Sequence, residues 1–328
     1  MSVIKVTDLH KTFKVSKRPK GLPGTIANLF APKYSVKTAV NGISFEIQKG
    51  EAVGFIGANG AGKSTTIKMI SGILYPDSGE IEALGFDPHK QRKQYVSHIG
   101  VVFGQKSQLS WDLPVIDSFE LLKHIYRIPE DVYDSNLKMF TEMLDMESFI
   151  EQPVRQLSLG QRMRADIAAA LLHSSELVFF DEPTIGLDVV AKERIRKFIR
   201  YMNREKHVTM IFTTHDMKDI ELTCDRLILI DKGQILYDGK VHDIVTKYGK
   251  ERKLIVEFDG DYEIERMDDV VIESKDEFKR MFTFNCEKVS LKHLLAHLTD
   301  KYGIKDFTVK EMEIEEIVRN IYEGGIVL

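Results

Sequence analysis

Short apolar runs alternate with longer amphipathic stretches through most of this chain. Ala52–Ile56, Ile99–Phe103, Leu177–Phe180 and Val208–Thr213 are rich in β-branched and aromatic residues, and each ends in a polar or glycine-rich loop. Hydrophobicity that is continuous, not alternating, predicts strands covered on both faces, as in a parallel sheet with helices above and below. Val3–Leu9 and Ile43–Ile47 alternate instead, which predicts half-exposed strands in an antiparallel subsheet at the front. Asp225–Ile230 and Gln234–Tyr237, joined through Asp231-Lys232-Gly233, read as a closing hairpin.

The pattern changes after about residue 248. Lys253–Phe258, Val270–Ser274, Met281–Asn285 and Phe307–Lys310 read as strands, while Ser290–Tyr302 and Ile314–Tyr322 read as helices. Two domains are therefore expected: a large α/β domain over 1–248 and a small α+β domain over 249–328. The second is near the size at which a single core gives only marginal stability.

The composition excludes several classes. Charged residues make up 29% of the 328 and the formal net charge is -4, so there is no general attraction to nucleic acid. Residues 250–328 hold 13 Lys/Arg against 19 Asp/Glu, an acidic tail that argues further against a nucleic-acid partner. The two cysteines, Cys224 and Cys286, have neither CxxC spacing nor a histidine cluster nearby, as expected for reduced thiols in the cytosol. The amino terminus lacks the apolar stretch of a signal peptide. No window approaches the roughly 20 apolar residues that cross a bilayer, so membrane contact is expected only through a partner. One segment departs from the charge pattern. From Leu9 to Phe45 there is no acidic residue but seven Lys/Arg. Within it, 15–36 reads as an insertion in which Ile26, Leu29 and Phe30 stand at helical spacing. A solvated loop and an element touching anionic headgroups or a partner's cytoplasmic helix are both open there.

The chemistry begins with Gly57-Ala58-Asn59-Gly60-Ala61-Gly62-Lys63-Ser64-Thr65, which follows an apolar strand and opens a helix. Glycines let the backbone curl so that successive N–H groups face phosphates, and the helix adds its positive N-terminal dipole. Lys63 supplies a point charge to the β- and γ-phosphates, and the Ser64 hydroxyl suits Mg²⁺. Leu177-Val178-Phe179-Phe180-Asp181-Glu182 lies farther along, with Asp181 118 residues beyond Lys63. A buried strand ending in Asp181 sets a carboxylate beside the metal, and Glu182 is placed to polarise the attacking water.

Leu157-Ser158-Leu159-Gly160-Gln161-Arg162 opens a helix 23 residues before Asp181, counted from Ser158. It closely resembles the signature sequence of ATP-binding cassette (ABC) ATPases, Leu-Ser-Gly-Gly-Gln, with Leu159 in place of the first glycine. The resemblance covers about residues 1–245. It implies a P-loop NTPase fold of the ABC ATPase type, with a parallel sheet core, an antiparallel front subsheet and a helical subdomain at about 106–156. It also implies roles for other positions. Gln105 matches the Q-loop glutamine that reaches Mg²⁺, Asp188 the D-loop, and His215 the switch histidine on the γ-phosphate. Phe13 matches the aromatic that stacks on adenine, with Tyr34 as a rival. Residues 249–328 resemble the small domain appended to bacterial exporter ATPases of the drug-resistance and sodium-export type.

The family pattern implies that Ser158, Gly160 and Gln161 of one cassette close over the ATP held by Lys63 of another. With one P-loop per chain, a homodimer or a pair of paralogues is expected. Membrane-spanning permease subunits on separate chains would dock on the helical subdomain, where Trp111 is either a core anchor or a docking residue. The expected place is the cytoplasmic face of a bacterial membrane, peripherally bound. Rival readings are a soluble translation ATPase, a chromosome or DNA-repair ATPase, a non-catalytic regulatory subunit and an importer ATPase. A single cassette, about 90 residues between Lys63 and the signature, and the presence of Glu182 and His215 weigh against the first three.

Overall fold

The computed structural model describes residues 2–16, 34–104, 106–214 and 216–322. Two of the residues singled out above, Gln105 and His215, lie outside these, as does the stretch 25–30 read as helical. The elements in chain order are β1 (Ser2–Ser16), β2 (Tyr34–Gln48), β3 (Ala52–Gly57), α1 (Lys63–Ile70), β4 (Ser78–Ala83), α2 (Arg92–Tyr95), β5 (Ile99–Phe103), α3 (Val115–Tyr126), α4 (Glu130–Met143), α5 (Leu159–Leu171), β6 (Leu177–Asp181), α6 (Val189–Arg204), β7 (Thr209–Thr213), α7 (Met217–Thr223), β8 (Arg226–Asp231) and β9 (Gln234–Lys240). They are followed by α8 (Val241–Tyr248), β10 (Glu251–Phe258), β11 (Val270–Ser274), β12 (Lys279–Asn285), α9 (Leu291–Lys301), β13 (Ile304–Glu311) and α10 (Ile314–Tyr322).

The four continuous apolar runs are β3, β5, β6 and β7, and they lie in one six-stranded sheet of order β5-β6-β7-β3-β8-β9. β5 to β8 and β3 pair in parallel. β6 and β7 are buried almost throughout, as strands sandwiched by helices must be. β9 closes the edge after the two-residue turn Lys232-Gly233, whose φ angles of 46° and 80° match a type I′ hairpin. All parallel strands run the same way, so their carboxyl ends, carrying Gly57, Asp181 and Thr213, collect at one rim. Ligands of open α/β sheets bind at that rim.

The front sheet has order β2-β1-β4 and is antiparallel. β1 and β2 reach much farther than the alternation over 3–9 and 43–47. Their ladder extends from Ser2 opposite Gln48 to Ser16 opposite Tyr34. Val15, Ser16, Tyr34, Ser35 and Val36, read as the ends of an insertion loop, are therefore strand residues. Hydrogen bonding along the ladder overrides the lack of alternation there. Ile4, Val6, Leu9, Val40, Ile43 and Ile47 turn inward and share one core with Val53, Phe55, Ile67 and Phe179 of the main sheet and α1.

His173, just beyond α5, is largely enclosed by its neighbours. Its ring stacks on Tyr126 at 4.0 Å and 6°, and its Nε2 lies 3.0 Å from both the Ile99 carbonyl and the Ser175 hydroxyl. Burial pushes its pKa down from the usual 6.5 to about 4. The unfolded chain therefore takes up the proton first, so this contribution to stability is full above pH 6.5 and is lost as pH falls towards 4. Between pH 7 and pH 5 the loss should be about 2 kcal/mol. Urea unfolding at the two pH values reads it, and a His173→Gln chain should show a difference smaller by about that amount.

The chain divides into two compact units, Met1–Asp238 and Gly239–Leu328. The division precedes the pattern change at 248 because α8 packs with the later residues. A Cβ at Gly249, its C-cap, would stand 3.2 Å from Ile317 of α10. In the second unit β11-β12-β10-β13 form an antiparallel sheet. Leu254, Val256, Phe258, Phe282 and Phe284 pack there against Leu294 and Leu298 of α9.

Candidate functional site

The loop between β3 and α1 curls because two of its glycines take φ values of 83° (Gly60) and 116° (Gly62), which side chains disfavour. A Cβ at Gly62 would also stand 2.4 Å from the Ala39 carbonyl. Inside the curl, Lys63 Nζ donates to the carbonyls of Gly57 (2.6 Å) and Ala58 (3.2 Å). Its side chain is buried, and burial lowers its pKa, an effect opposed by the negative charges of Glu182 and Asp181.

Asp181 ends β6 beside this loop. Its Oδ1 accepts from the Ser64 hydroxyl at 3.0 Å and from the Thr213 hydroxyl of β7 at 2.7 Å. Ser64 and Asp181, 117 positions apart, thus present oxygen donors side by side. Among the described residues no cluster of three or more His, Cys, Asp or Glu could hold a metal by itself. Glu182 follows with φ 57°, a left-handed backbone that costs a β-carbon residue free energy. Its N–H is held by the Thr213 carbonyl (3.0 Å) and hydroxyl (3.1 Å). Close packing from β5 secures the same turn: a Cβ at Gly104 would lie 2.3 Å from the Glu182 carbonyl.

Phe13, Lys37, Asn59, Gly60, Gly62, Lys63, Ser64, Thr65 and Glu182 line one pocket of about 270 Å³. Phe13 is 39% exposed at its mouth. Tyr34 pairs three residues farther out, with Ser16, and does not line it. Gly57 and Ala61 hold the loop from below, since Ala61 is buried and its carbonyl accepts from Gly233 N–H. Lys37 is a site residue the sequence reading passed over. It was one of seven cations in a basic run, and only the β1–β2 register, with Phe13 opposite Lys37, carries it into the pocket.

Ser158 caps α5. Its hydroxyl accepts from Gln161 N–H and its own N–H donates to Gln161 Oε1, a reciprocal capping box. Ser158, Gly160 and Gln161 do not line the pocket around Lys63. Their end of the helix faces residues beyond β6 instead: Leu159 Cδ2 lies 3.1 Å from a Cβ built at Gly186, and Ala191 3.4 Å from one at Gly160. Asp188 caps α6 through Ala191 N–H at 2.8 Å and does not line the pocket either.

Two buried carboxylates behind the site were also passed over. Asp219 of α7 is fully buried and accepts from Thr184 (2.5 Å), Thr214 (3.1 Å) and Arg196 Nε (2.6 Å). It ties the segments after Glu182 and before His215 to α6. Asp166 of α5 accepts from the Ser107 hydroxyl (2.8 Å) and Gln108 N–H (3.0 Å), joining the signature helix to the stretch after Gln105. Burial holds its pKa up at about 6. An acidic residue on an otherwise alanine-rich helix face was the available signal for Asp166.

Comparisons with known proteins agree on one family. The description "ABC transporter" matches residues 40–185. The linearmycin resistance ATP-binding protein LnrL of Bacillus subtilis is 34% identical over 216 residues, 66% of this chain and 69% of LnrL. The chain belongs to the ABC transporter ATP-binding family. The methionine import ATP-binding protein MetN 2 of Enterococcus faecalis is 28% identical over 285 residues, 84% of this chain and 82% of that protein. A solved ATP-binding cassette, dimeric in a post-hydrolysis state with ADP and Pi, superposes with a TM-score of 0.61 at 25% identity. The match covers 73% of this chain and 98% of the cassette. This ABC protein is accordingly an ATPase that energises a transporter. Among its described residues no helix is long and apolar enough to cross a membrane.

Proposed function

We propose that this chain powers an exporter: two copies, or this chain and a paralogue, close on ATP and pull on separate permease subunits at the cytoplasmic face of the membrane. The observation that carries the pairing is the division of the family's residues between two places. Asn59, Gly60, Gly62, Lys63, Ser64, Thr65 and Glu182 line one pocket, with Asp181 bonded to Ser64 beside it, while Ser158, Gly160, Gln161 and Asp188 do not line it. In this reading the curled loop and Lys63 bind the β- and γ-phosphates, Phe13 stacks on adenine, and Lys37 adds a second cation at the pocket mouth. Ser64 and Asp181 are hard oxygen donors and fit Mg²⁺, which when bound neutralises charge on the phosphate oxygens. Glu182, aimed by its strained turn, takes the proton of the attacking water. Gln105 and His215 are assigned by sequence position alone to the metal side and the γ-phosphate. Ser158 and Gly160 of the second cassette complete the site, and the repulsion of the products reopens it.

Export is favoured by the linearmycin-resistance relative and by the small second domain. Import is the second reading, because the methionine-import relative aligns over more of the chain. Co-expression with the membrane proteins encoded beside it, followed by flux in inside-out vesicles, separates the two. ATP-dependent accumulation inside the vesicles supports export, ATP-dependent loss supports import, and no co-purifying permease defeats both.

The permease is assigned to the surface after Gln105. Trp111 is 53% exposed, not a core anchor, and the Arg162 guanidinium lies 5.7 Å from its ring centroid. Leu113, Leu121 and Ile125 are exposed nearby in sequence. Trp111→Ala should leave thermal stability and basal ATPase within about twofold while lowering permease capture at least tenfold, a loss of about 1.4 kcal/mol or more. Undiminished capture would remove Trp111 from the docking surface.

A further inference from the structure

We propose that the second unit pairs with a second copy of itself through the edge strand β13, forming one continuous eight-stranded sheet. β13 is the last strand of β11-β12-β10-β13 and, among the described residues, is bonded only to β10. Its outward backbone groups can be assigned. Phe258 N–H donates to the Phe278 carbonyl on the β12 side, and β10 pairs with β12 from Glu251 to Glu257 without a register shift. Alternation then turns Lys253, Ile255 and Glu257 towards β13, where they meet Lys310, Thr308 and Asp306. The N–H and C=O groups of Phe307, Val309 and Glu311 are left pointing away from the sheet; the Phe307 N–H donates to Asp306 Oδ1 at 2.8 Å, a local bond that the pairing replaces.

The order of side chains along this edge is self-complementary in one register. Placing Thr308 against its own copy on a twofold axis sets Phe307 against Val309, Asp306 against Lys310 and Lys305 against Glu311, each pair occurring twice. Phe307 and Val309 then form hydrogen-bonded pairs, as their outward backbone groups require. A shift of one residue would bring opposite faces together. A shift of two in either direction separates Asp306 from Lys310, setting them against Thr308, Met312 or Ile304. Charged edges ordinarily keep strands apart, but here every charge from 305 to 311 finds its opposite. Within one copy Arg252 lies across from Glu311 and pairs with it at 3.2 Å, but the other charges are less favourably placed. Asp306 lies across from Glu257 and Lys310 across from Lys253, like against like. Glu257 is engaged by Lys279 and Lys305, and Lys253 by Glu316. Phe307 is 49% exposed and would gain an apolar cross-strand neighbour.

The test uses the full chain carrying Cys286→Ser, which removes the exposed thiol and leaves the buried Cys224. A Thr308→Cys change on the axis would bring two Cα atoms to about 4.5 Å, within disulfide reach. Mild oxidation without nucleotide should give a linked dimer as the main product on a non-reducing gel. Lys310→Asp should cut the yield at least tenfold by facing Asp306 with another carboxylate, and Asp306→Lys added to Lys310→Asp should restore it. Equal cross-linking from Val271→Cys on the opposite edge, or no recovery in the charge-swapped chain, would overturn the pairing. The outcome is separable from the ATP-bridged closure proposed above. That closure requires nucleotide and should survive Lys310→Asp, whereas this pairing persists with EDTA and no ATP.

Discussion

A Glu182→Gln chain is expected to bind ATP normally, to hydrolyse it at least about a hundredfold more slowly, and to accumulate as an ATP-bound dimer. The change keeps the size of the side chain and the turn that aims it. That turn is set by main-chain atoms: Thr213 holds Glu182 N–H, and Gly104 packs on its carbonyl. What glutamine removes is the ability to accept a proton from water at the γ-phosphate. Phosphate release reads the first effect, and size-exclusion chromatography with and without ATP reads the second. Hydrolysis at the parental rate would show that another group is the base and that Glu182 only supports the pocket. A fall in rate without dimer accumulation would keep the base and discard the two-cassette closure.

The second large effect is on stability. Arg196→Met should destabilise the first unit by about 3–5 kcal/mol, because the Asp219 carboxylate would stay buried with no cation beside it. The methionine keeps the aliphatic stem of Arg196, so lost packing is minor. Thr184 and Thr214 would still donate, yet two hydroxyls do not replace a guanidinium in a dry site. Arg196 also stands 3.6 Å from Asp216, itself bonded to Lys192 at 2.7 Å, so the change weakens the hold on Asp216 as well. Urea unfolding measures the loss. Adding Asp219→Asn should recover a substantial part of it, since a neutral amide oxygen still accepts from both threonines without a buried charge. A loss under 1 kcal/mol, or a double variant no better than the single one, would mean that water reaches this pair.

Some of this site was legible because its chemistry is local. Phosphate binding needs consecutive N–H groups at fixed spacing, so Gly57–Thr65 had to appear as one contiguous stretch ahead of a helix. The capping box Ser158–Gln161 is local in the same way, being set by one helical turn. The parallel strands were readable too, because burial on both faces leaves no polar residue in β3, β6 or β7 short of their ends. The long β1–β2 ladder was not readable: Lys11, Lys14, Ser35 and Lys37 show no alternation, and interstrand hydrogen bonds do not depend on side-chain identity. For the same reason neither the choice of Phe13 over Tyr34 at the pocket nor the presence of Lys37 could be read from composition. The choice follows from how far the ladder runs before each residue reaches the curled loop.

The sequence by itself determined that this chain binds nucleotide phosphates on a parallel sheet, resembles ABC ATPases, and has a small second unit. Each of these rests on residues close together in the chain or on hydrophobic periodicity, and both survive in one dimension. Only the tertiary structure decided which residues gather around Asp219, what Asp166 holds, and that the signature residues stand apart from their own P-loop. Those facts depend on segments such as Thr184, Arg196, Thr214 and Asp219 converging from separate elements. Their energies come from burial and from oppositely charged groups brought within hydrogen-bond distance, and neither exists until the sheet and its covering helices are assembled.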